Sequence, residues 1–488
     1  MKAEQASRIP EEWRLTDAVL KDAQNTRDLR PFAASAGILT EKELAITGQG
    51  DATSLAEQIA VGELSAVEVA TAFAKRAAIA QQLCNCFTEI CFLDAIEDAK
   101  RLDAHFKETG TTVGPLHGIP MTFKECFHIE GYDASNGYIS RCFNKSTHTT
   151  YLIQLVKDAG AVILGKTNIP QTMLVADANN NVFGQTRNPV VSHLTCGGSS
   201  GGEGSILAFR GSALGIGTDV GGSIRIPAAA NGVYGFKPSS GILPMVTYAN
   251  SNWPGMNTGI PAVCGPLAHS IQDMALLMSA ARASKPWNFD PAVIPSVYEV
   301  EVWRRSPVVG VIRQCGLTPH PPGRRAIAEA TEKLKQAGVE VKHITSSVDF
   351  QEAHIVAQQL FTIDGLSCPR AELAKSGEPI VAAVRNIGHW DMPRKEPEEQ
   401  WSWNAKKAEL QIAMLDMWQR EGIDVLLCPA GPHTATDSGM WTNCLYTEVW
   451  NVMDVCLFKS HQAQMEIDAM RSTQLLYCQQ ALPVLNSI

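Results

Sequence analysis

The stretch that decides the fold reads Cys196-Gly-Gly-Ser199-Ser200-Gly-Gly-Glu203-Gly-Ser205, followed by Gly215-Ile-Gly217-Thr-Asp219-Val220-Gly221-Gly222-Ser223-Ile-Arg225. Glycine at this density loses much backbone entropy on folding, so it points to close backbone approach to a ligand or to positive φ angles. The apolar neighbours Ile206, Leu207, Phe209, Leu214 and Ile216 argue against a flexible linker. A phosphate-binding loop needs a lysine after its glycines, and none lies between Lys166 and Lys237. A dinucleotide fingerprint needs glycine where Val220 stands. A serine nucleophile remains.

Two serines compete for that role. Gly198-Ser-Ser200-Gly-Gly202 matches the Gly-x-Ser-x-Gly elbow of α/β-hydrolases, but the elbow must follow a buried strand, and residues 190–196 make a poor one. Ser223 is the better reading. It follows two glycines and precedes Ile224-Arg-Ile-Pro227-Ala-Ala-Ala230-Asn-Gly232, which reads as a short helix with proline in its first turn and Asn-Gly at its end. The hydroxyl then sits at a helix N-terminus, where the N–H groups of Val220, Gly221, Gly222 and Ser223 face a developing oxyanion.

Outward from this stretch the chain alternates strands and helices. Residues 52–109 read as helices, with Leu55, Ile59, Leu64, Val67, Val69 and Phe73 near helical spacing and N-caps among residues 51–54. Residues 151–159 read as a helix closed by Gly160, and 161–164 as a strand. The unit recurs as strand 308–312, helix 324–337 and strand 339–343, and again as helix 406–420 and strand 425–427. The prolines at 319–322 read as the start of a helix rather than an interdomain linker. The expectation is an α/β fold with a mixed sheet flanked by helices.

Composition bounds the function. The 488 residues are 45% hydrophobic and 19% charged, which is globular. A net charge of −9 carries no basic footprint for nucleic acid or anionic membrane. Apolar runs are broken well before about 18 residues, and residues 1–30 lack the apolar core of a signal peptide. Thirteen cysteines, an odd number spread thinly over a long chain, argue against a disulfide framework. Cys84 and Cys86 have no second pair at zinc spacing, and His128-Ile129-Glu130 has no Pro-Cys-x-x-Cys partner. No metal or other cofactor is expected, and the compartment is read as cytoplasmic.

The two glycine–serine blocks closely resemble those of the amidase signature family, Gly-Gly-Ser199-Ser-Gly-Gly-Glu-Gly and Gly-Thr-Asp219-Val-Gly-Gly-Ser223-Ile-Arg-Ile-Pro. The likeness extends through Gly118-Ile-Pro-Met-Thr-Phe-Lys124-Glu, Gly165-Lys-Thr-Asn-Ile-Pro170, Phe183-Gly-Gln-Thr-Arg-Asn-Pro189, Tyr234-Gly-Phe-Lys-Pro238 and Gly265-Pro-Leu-Ala-His-Ser270. It is very specific over residues 115–270 and weaker over 52–454, and it is nearest to fungal acetamidases and fatty-acid amide hydrolases. The resemblance implies the amidase-signature fold and hydrolysis of a carboxamide to carboxylate plus ammonia or amine. It implies Ser223 as nucleophile, Ser199 as a bridge in a cis peptide, Lys124 as base, and Met173 near the acyl group. Substrate contacts are expected at Met173, Ser199, Val220, Gly221, Gly222 and Ser223.

The chemistry is consistent with the name. A serine needs a base to take its proton, and an exposed lysine, with pKa near about 10.4, is the wrong one. Burial lowers a lysine, and Lys124 sits among Ile119, Met121, Phe123 and Phe127. A hydroxyl between the two can accept one proton while donating another, and the relay reversed protonates the leaving amine. Asp219 and Arg225 read as a structural ion pair, and Glu125 as a hydrogen-bonding or water-facing group. His128, His193 and His433 read as structural or solvent-facing. Met173-Leu-Val-Ala176 is apolar, so an uncharged acyl group is expected.

Two other readings stand beside this one. The glutaminase-like subunit of a tRNA amidotransferase shares the blocks, but the long helical segment before residue 110 fits the fungal amidases better. The second is an inactive product. After Tyr446-Thr-Glu-Val-Trp-Asn-Val-Met-Asp454 the chain departs from the family pattern, reading Val-Cys-Leu-Phe-Lys-Ser-His-Gln, as a shifted frame or retained intron would. Residues 1–488 are expected to form a single domain, with 1–110 mostly helical and packed on its outside and 455–488 atypical. The expected partner is a small-molecule amide, with no nucleic acid and no integral membrane segment; a homodimer is allowed.

Overall fold

Short segments rich in apolar residues and glycine fold here as interior strands, covered on both faces, and they bury the few polar residues they carry. The computed structural model describes residues 1–249, 252–295 and 306–459. Its main sheet begins with β1 (Phe87–Ile90), β2 (Pro120–Lys124) and β3 (Val162–Thr167). A small hairpin of β4 (Asn179–Asn180) and β5 (Gly184–Gln185) stands apart. The main sheet continues with β6 (Leu214–Asp219), β7 (Tyr234–Lys237) and β8 (Val263–Ala268). A separate parallel sheet holds β9 (Val308–Val311), β10 (Glu340–His343) and β11 (Val425–Leu427). β12 (Leu457–Lys459) returns to the edge of the main sheet.

The main sheet runs in the order β1-β3-β2-β6-β8-β7-β12. β3, β2 and β6 are mutually parallel, and the other neighbours pair antiparallel. This is the mixed α/β sheet that the sequence implied. Every residue of β2, β3 and β6 is buried.

The helices fall close to their expected places, with two instructive differences. Residues 52–109 are not helical throughout. The helix Ala66–Cys84 stops at Asn85, whose left-handed backbone (φ 54°) turns the chain, and the following Phe-Thr-Glu-Ile pairs with β3 as β1. Strand pairing thus overrides the helical reading of a short apolar run. The last long helix, Pro397–Glu421, starts well before the expected residue 406 because Pro397 sits in its first turn.

The N-terminal helices and the main sheet share one apolar core, with Trp13, Leu29, Phe73, Phe123, Leu207 and Leu267 among its members. A second core lies among the helices Phe350–Phe361, Pro397–Glu421 and Leu445–Val452. The divergent sequence after Asp454 still supplies an edge strand: β12 pairs with β7, and Phe458 stacks on Tyr234 at 5.6 Å between ring centres. The rest of the atypical segment, residues 460–488, lies outside the described residues. Among the described residues no helix is long and apolar enough to cross a membrane.

Candidate active site

Parallel pairing of β2 with β6 sets Phe123 opposite Ile216, so the ends of the two strands carry Lys124 and Thr218 side by side. Lys124 is buried, and its Nζ lies 2.7 Å from Thr218 Oγ1 and 2.7 Å from Ser199 Oγ. Burial pushes the Lys124 ammonium down to about 8, because a buried cation loses its hydration. Ser199 follows a cis Gly198–Ser199 peptide bond and is itself buried. The neighbouring Ser200 is fully buried, and its hydroxyl is held by the backbone of Thr218 at 3.3 Å, so it does not reach the pocket. The elbow reading of Ser200 therefore finds no support.

The loop after β6 is held by a buried ion pair. Arg225 grips Asp219 through Nε at 3.0 Å and a terminal nitrogen at 2.8 Å, and also donates to the Thr447 carbonyl and to Asn451 Oδ1. Burial alone would raise the Asp219 carboxyl, but Arg225 and its hydrogen bonds hold it well below the usual carboxylate range. The pair is structural, as expected. The Asp219 carboxylate also accepts the N–H groups of Gly222 and Ile224, at 2.9 and 3.1 Å. This corrects one expectation: the Gly222 N–H is committed to Asp219 and is not free for an oxyanion. Asp219→Ala strands a buried guanidinium and lowers stability by about 3–5 kcal/mol, to be measured by urea denaturation.

The glycines serve packing more than ligand approach. A Cβ on Gly198 would meet the Asp177 carbonyl oxygen at 2.0 Å, and one on Gly215 would meet Glu203 Oε2 at 2.0 Å. Helix Gly201–Ala208 thereby packs closely against the strands, and the buried Glu203 accepts hydroxyl protons from Thr122 and Thr167. Burial pushes the Glu203 carboxyl up to about 8. Glu125 is also buried, accepting from Ser135 and facing Lys166 Nζ at 3.2 Å.

Ser223 opens onto a pocket with a cavity volume of about 30 Å³. Met173, Leu174, Val175 and Ala176 form one part of its lining, and Gly198, Val220 and Gly221 another. Ser199, Lys124 and Gly222 do not line it; Gly222 turns away with φ 124°, its α-carbon against Thr447. The remaining lining residues, Phe361, Ile387, His389, Cys444 and Glu448 among them, escaped the sequence reading. They are single residues scattered over distant segments, with no local motif to reveal them. The Thr447 hydroxyl donates to the Gly221 carbonyl at 2.7 Å and so fixes the helix Leu445–Val452, which carries Glu448, to the Ser223 loop.

Comparison with known proteins shows the family and the fold. The amidase family model matches residues 68–474. The chain belongs to the amidase family. This amidase is 35% identical to an acetamidase of Emericella nidulans over 93% of its own length and 84% of the relative's. Its structure superposes on fatty acid amide hydrolase with a TM-score of 0.86 and 30% identity, covering 98% of this chain and 89% of the other. A bacterial aryl acylamidase shares the fold at 20% identity and a TM-score of 0.71, covering 87% of this chain and 95% of that one. The amidase is thus a hydrolase of amide bonds with the amidase-signature fold.

Proposed function

We propose that this amidase hydrolyses small, uncharged carboxamides to a carboxylate plus ammonia or amine through an acyl-enzyme on Ser223. Ser199 bridges protons and Lys124 is the base. The observation that carries this reading is the 2.7 Å contact of a buried Lys124 Nζ with Ser199 Oγ, while Gly198, the residue before Ser199, and Ser223 both line the pocket. The Ser200 N–H donates to the Ser223 carbonyl at 3.1 Å, which ties the two serine blocks together. Neutral Lys124 takes the Ser199 proton as Ser199 takes that of Ser223. Ser223 Oγ attacks the carbonyl carbon, and the N–H groups of Val220, Gly221 and Ser223 receive the oxyanion. The C–N bond breaks as the relay returns a proton to the leaving nitrogen, and water then releases the acyl group by the same steps. No step calls for a metal or cofactor. A cytoplasmic location suits the free thiols among the described residues, most of them buried.

Pocket size and lining support a short acyl group. The cavity is narrow, about 30 Å³, and Met173 to Ala176 bring no charge to it. Across acetamide, propionamide, benzamide and a long-chain fatty amide, kcat/KM is expected to be highest for the short aliphatic amides. A preference for the long chain, or for a dicarboxylic or cationic acyl group, would sink the short-acyl reading.

A further inference from the structure

The pocket contains a buried polar group that the relay does not use. His389 is 4% exposed and lines the same pocket as Ser223. It sits at the end of a polar chain in which His354 Nδ1 meets Glu448 Oε1, Gln358 Nε2 donates to Glu448 Oε2 at 2.8 Å, and Gln358 Oε1 meets His389 Nε2. The direction of this chain follows from its members. A carboxylate oxygen accepts, so the Gln358 amide nitrogen faces Glu448 and its carbonyl oxygen faces His389. A carbonyl oxygen also only accepts, so His389 Nε2 must carry the hydrogen. Burial pushes the His389 imidazolium down to about 4, with the neighbouring His354 adding to the effect, so the ring is neutral at physiological pH. A neutral ring protonated at Nε2 has a lone pair at Nδ1. That atom is buried and has no hydrogen-bond partner among the described residues.

A buried acceptor without a donor is costly, and because His389 lines a narrow pocket, its unsatisfied nitrogen is suited to a donor that the substrate brings. We propose that His389 Nδ1 binds the substrate by accepting an N–H of the carboxamide, so that the pocket selects amides over esters. Gln358 and Glu448 are positioning residues: they fix the tautomer that leaves Nδ1 free to accept. The proposal rests on Ser223 being the nucleophile that shares this pocket. It also gives the apolar pocket expected from Met173 to Ala176 a polar side, contributed by residues 389 and 448.

The test compares propionamide with methyl propionate, which share an acyl group but differ in the N–H. In His389→Phe, kcat/KM for the amide is expected to fall by at least about tenfold, mainly through KM, with the ester little changed. His389→Asn, which keeps an acceptor oxygen near the place of Nδ1, recovers most of the amide activity. An equal loss on both substrates, or an unchanged amide rate in His389→Phe, overturns the proposal. Fluorophosphonate labelling of Ser223 in each variant reports on the nucleophile separately. Loss of that label in both His389 variants also overturns it, because His389 would then support the site rather than the substrate. A native protein labelled at a serine other than Ser223 removes the reading beneath the proposal, whatever the amide-to-ester ratio.

Discussion

Ser223→Ala is expected to abolish acyl-enzyme formation and to lower amide hydrolysis by about 10⁶-fold, the scale on which removal of a serine nucleophile acts elsewhere. The loss is large because nothing in the site can substitute. Ser200 is buried with its hydroxyl on the Thr218 backbone, and Ser199 lies behind the pocket wall against Lys124. Only Ser223 combines a place in the lining with a following helix, Arg225–Asn231, and adjacent N–H groups that no protein acceptor claims among the described residues. Mass analysis of a fluorophosphonate adduct should find the label on the peptide containing Ser223, and none in Ser223→Ala. Ser199→Ala, by contrast, should still acylate slowly, since the nucleophile and the oxyanion donors remain. A label on Ser200 would reinstate the elbow reading. No label in a folded native sample would favour the inactive product that the divergent sequence after Asp454 suggests.

Lys124 should carry the next largest effect. With its pKa lowered to about 8 by burial, the fraction of neutral amine grows with pH up to that point and saturates above it. The sign follows directly: a base must be unprotonated to act, so kcat/KM rises about tenfold per pH unit below about 8 and then levels. Lys124→Met keeps the stem of the side chain in its apolar surroundings and removes the amine. It should lose about 10²- to 10⁴-fold at neutral pH, with the plateau replaced by a rate that keeps climbing as hydroxide takes over as base. A Lys124→Met profile that retains the native plateau near pH 8 would move the base elsewhere, with Glu203, whose carboxyl is raised to about 8, the first group to examine.

The sequence by itself determined a good deal. The α/β class was legible because short apolar runs such as 161–164, 308–312 and 425–427 alternate with helical patterns, whereas β2 and β6 carry buried polar residues, among them Lys124 and Asp219, that no apolar pattern reveals. Ser223 stood out because glycines crowd it ahead of a short helix, whereas Ser199 and Lys124 were singled out by the resemblance to the amidase signature blocks. The N-cap at Asp51 and the Asp219–Arg225 pair were readable because each lies within a few residues of its partner.

Only the tertiary structure decided how those parts are used. It committed the Gly222 N–H to Asp219, gave most of the glycines to close packing instead of ligand approach, and turned residues 87–90 into the edge strand β1. It also built a wall of the pocket from Phe361, His389, Cys444 and Glu448, more than a hundred residues beyond Ser223. The physical reason is the range of the interactions. Strand formation and helix capping are set by neighbours in the chain, and they leave a pattern in it. Hydrogen-bond allocation, desolvation of Lys124 and the unshared lone pair of His389 depend on which distant segments meet, and single residues at such meetings leave no periodicity to read.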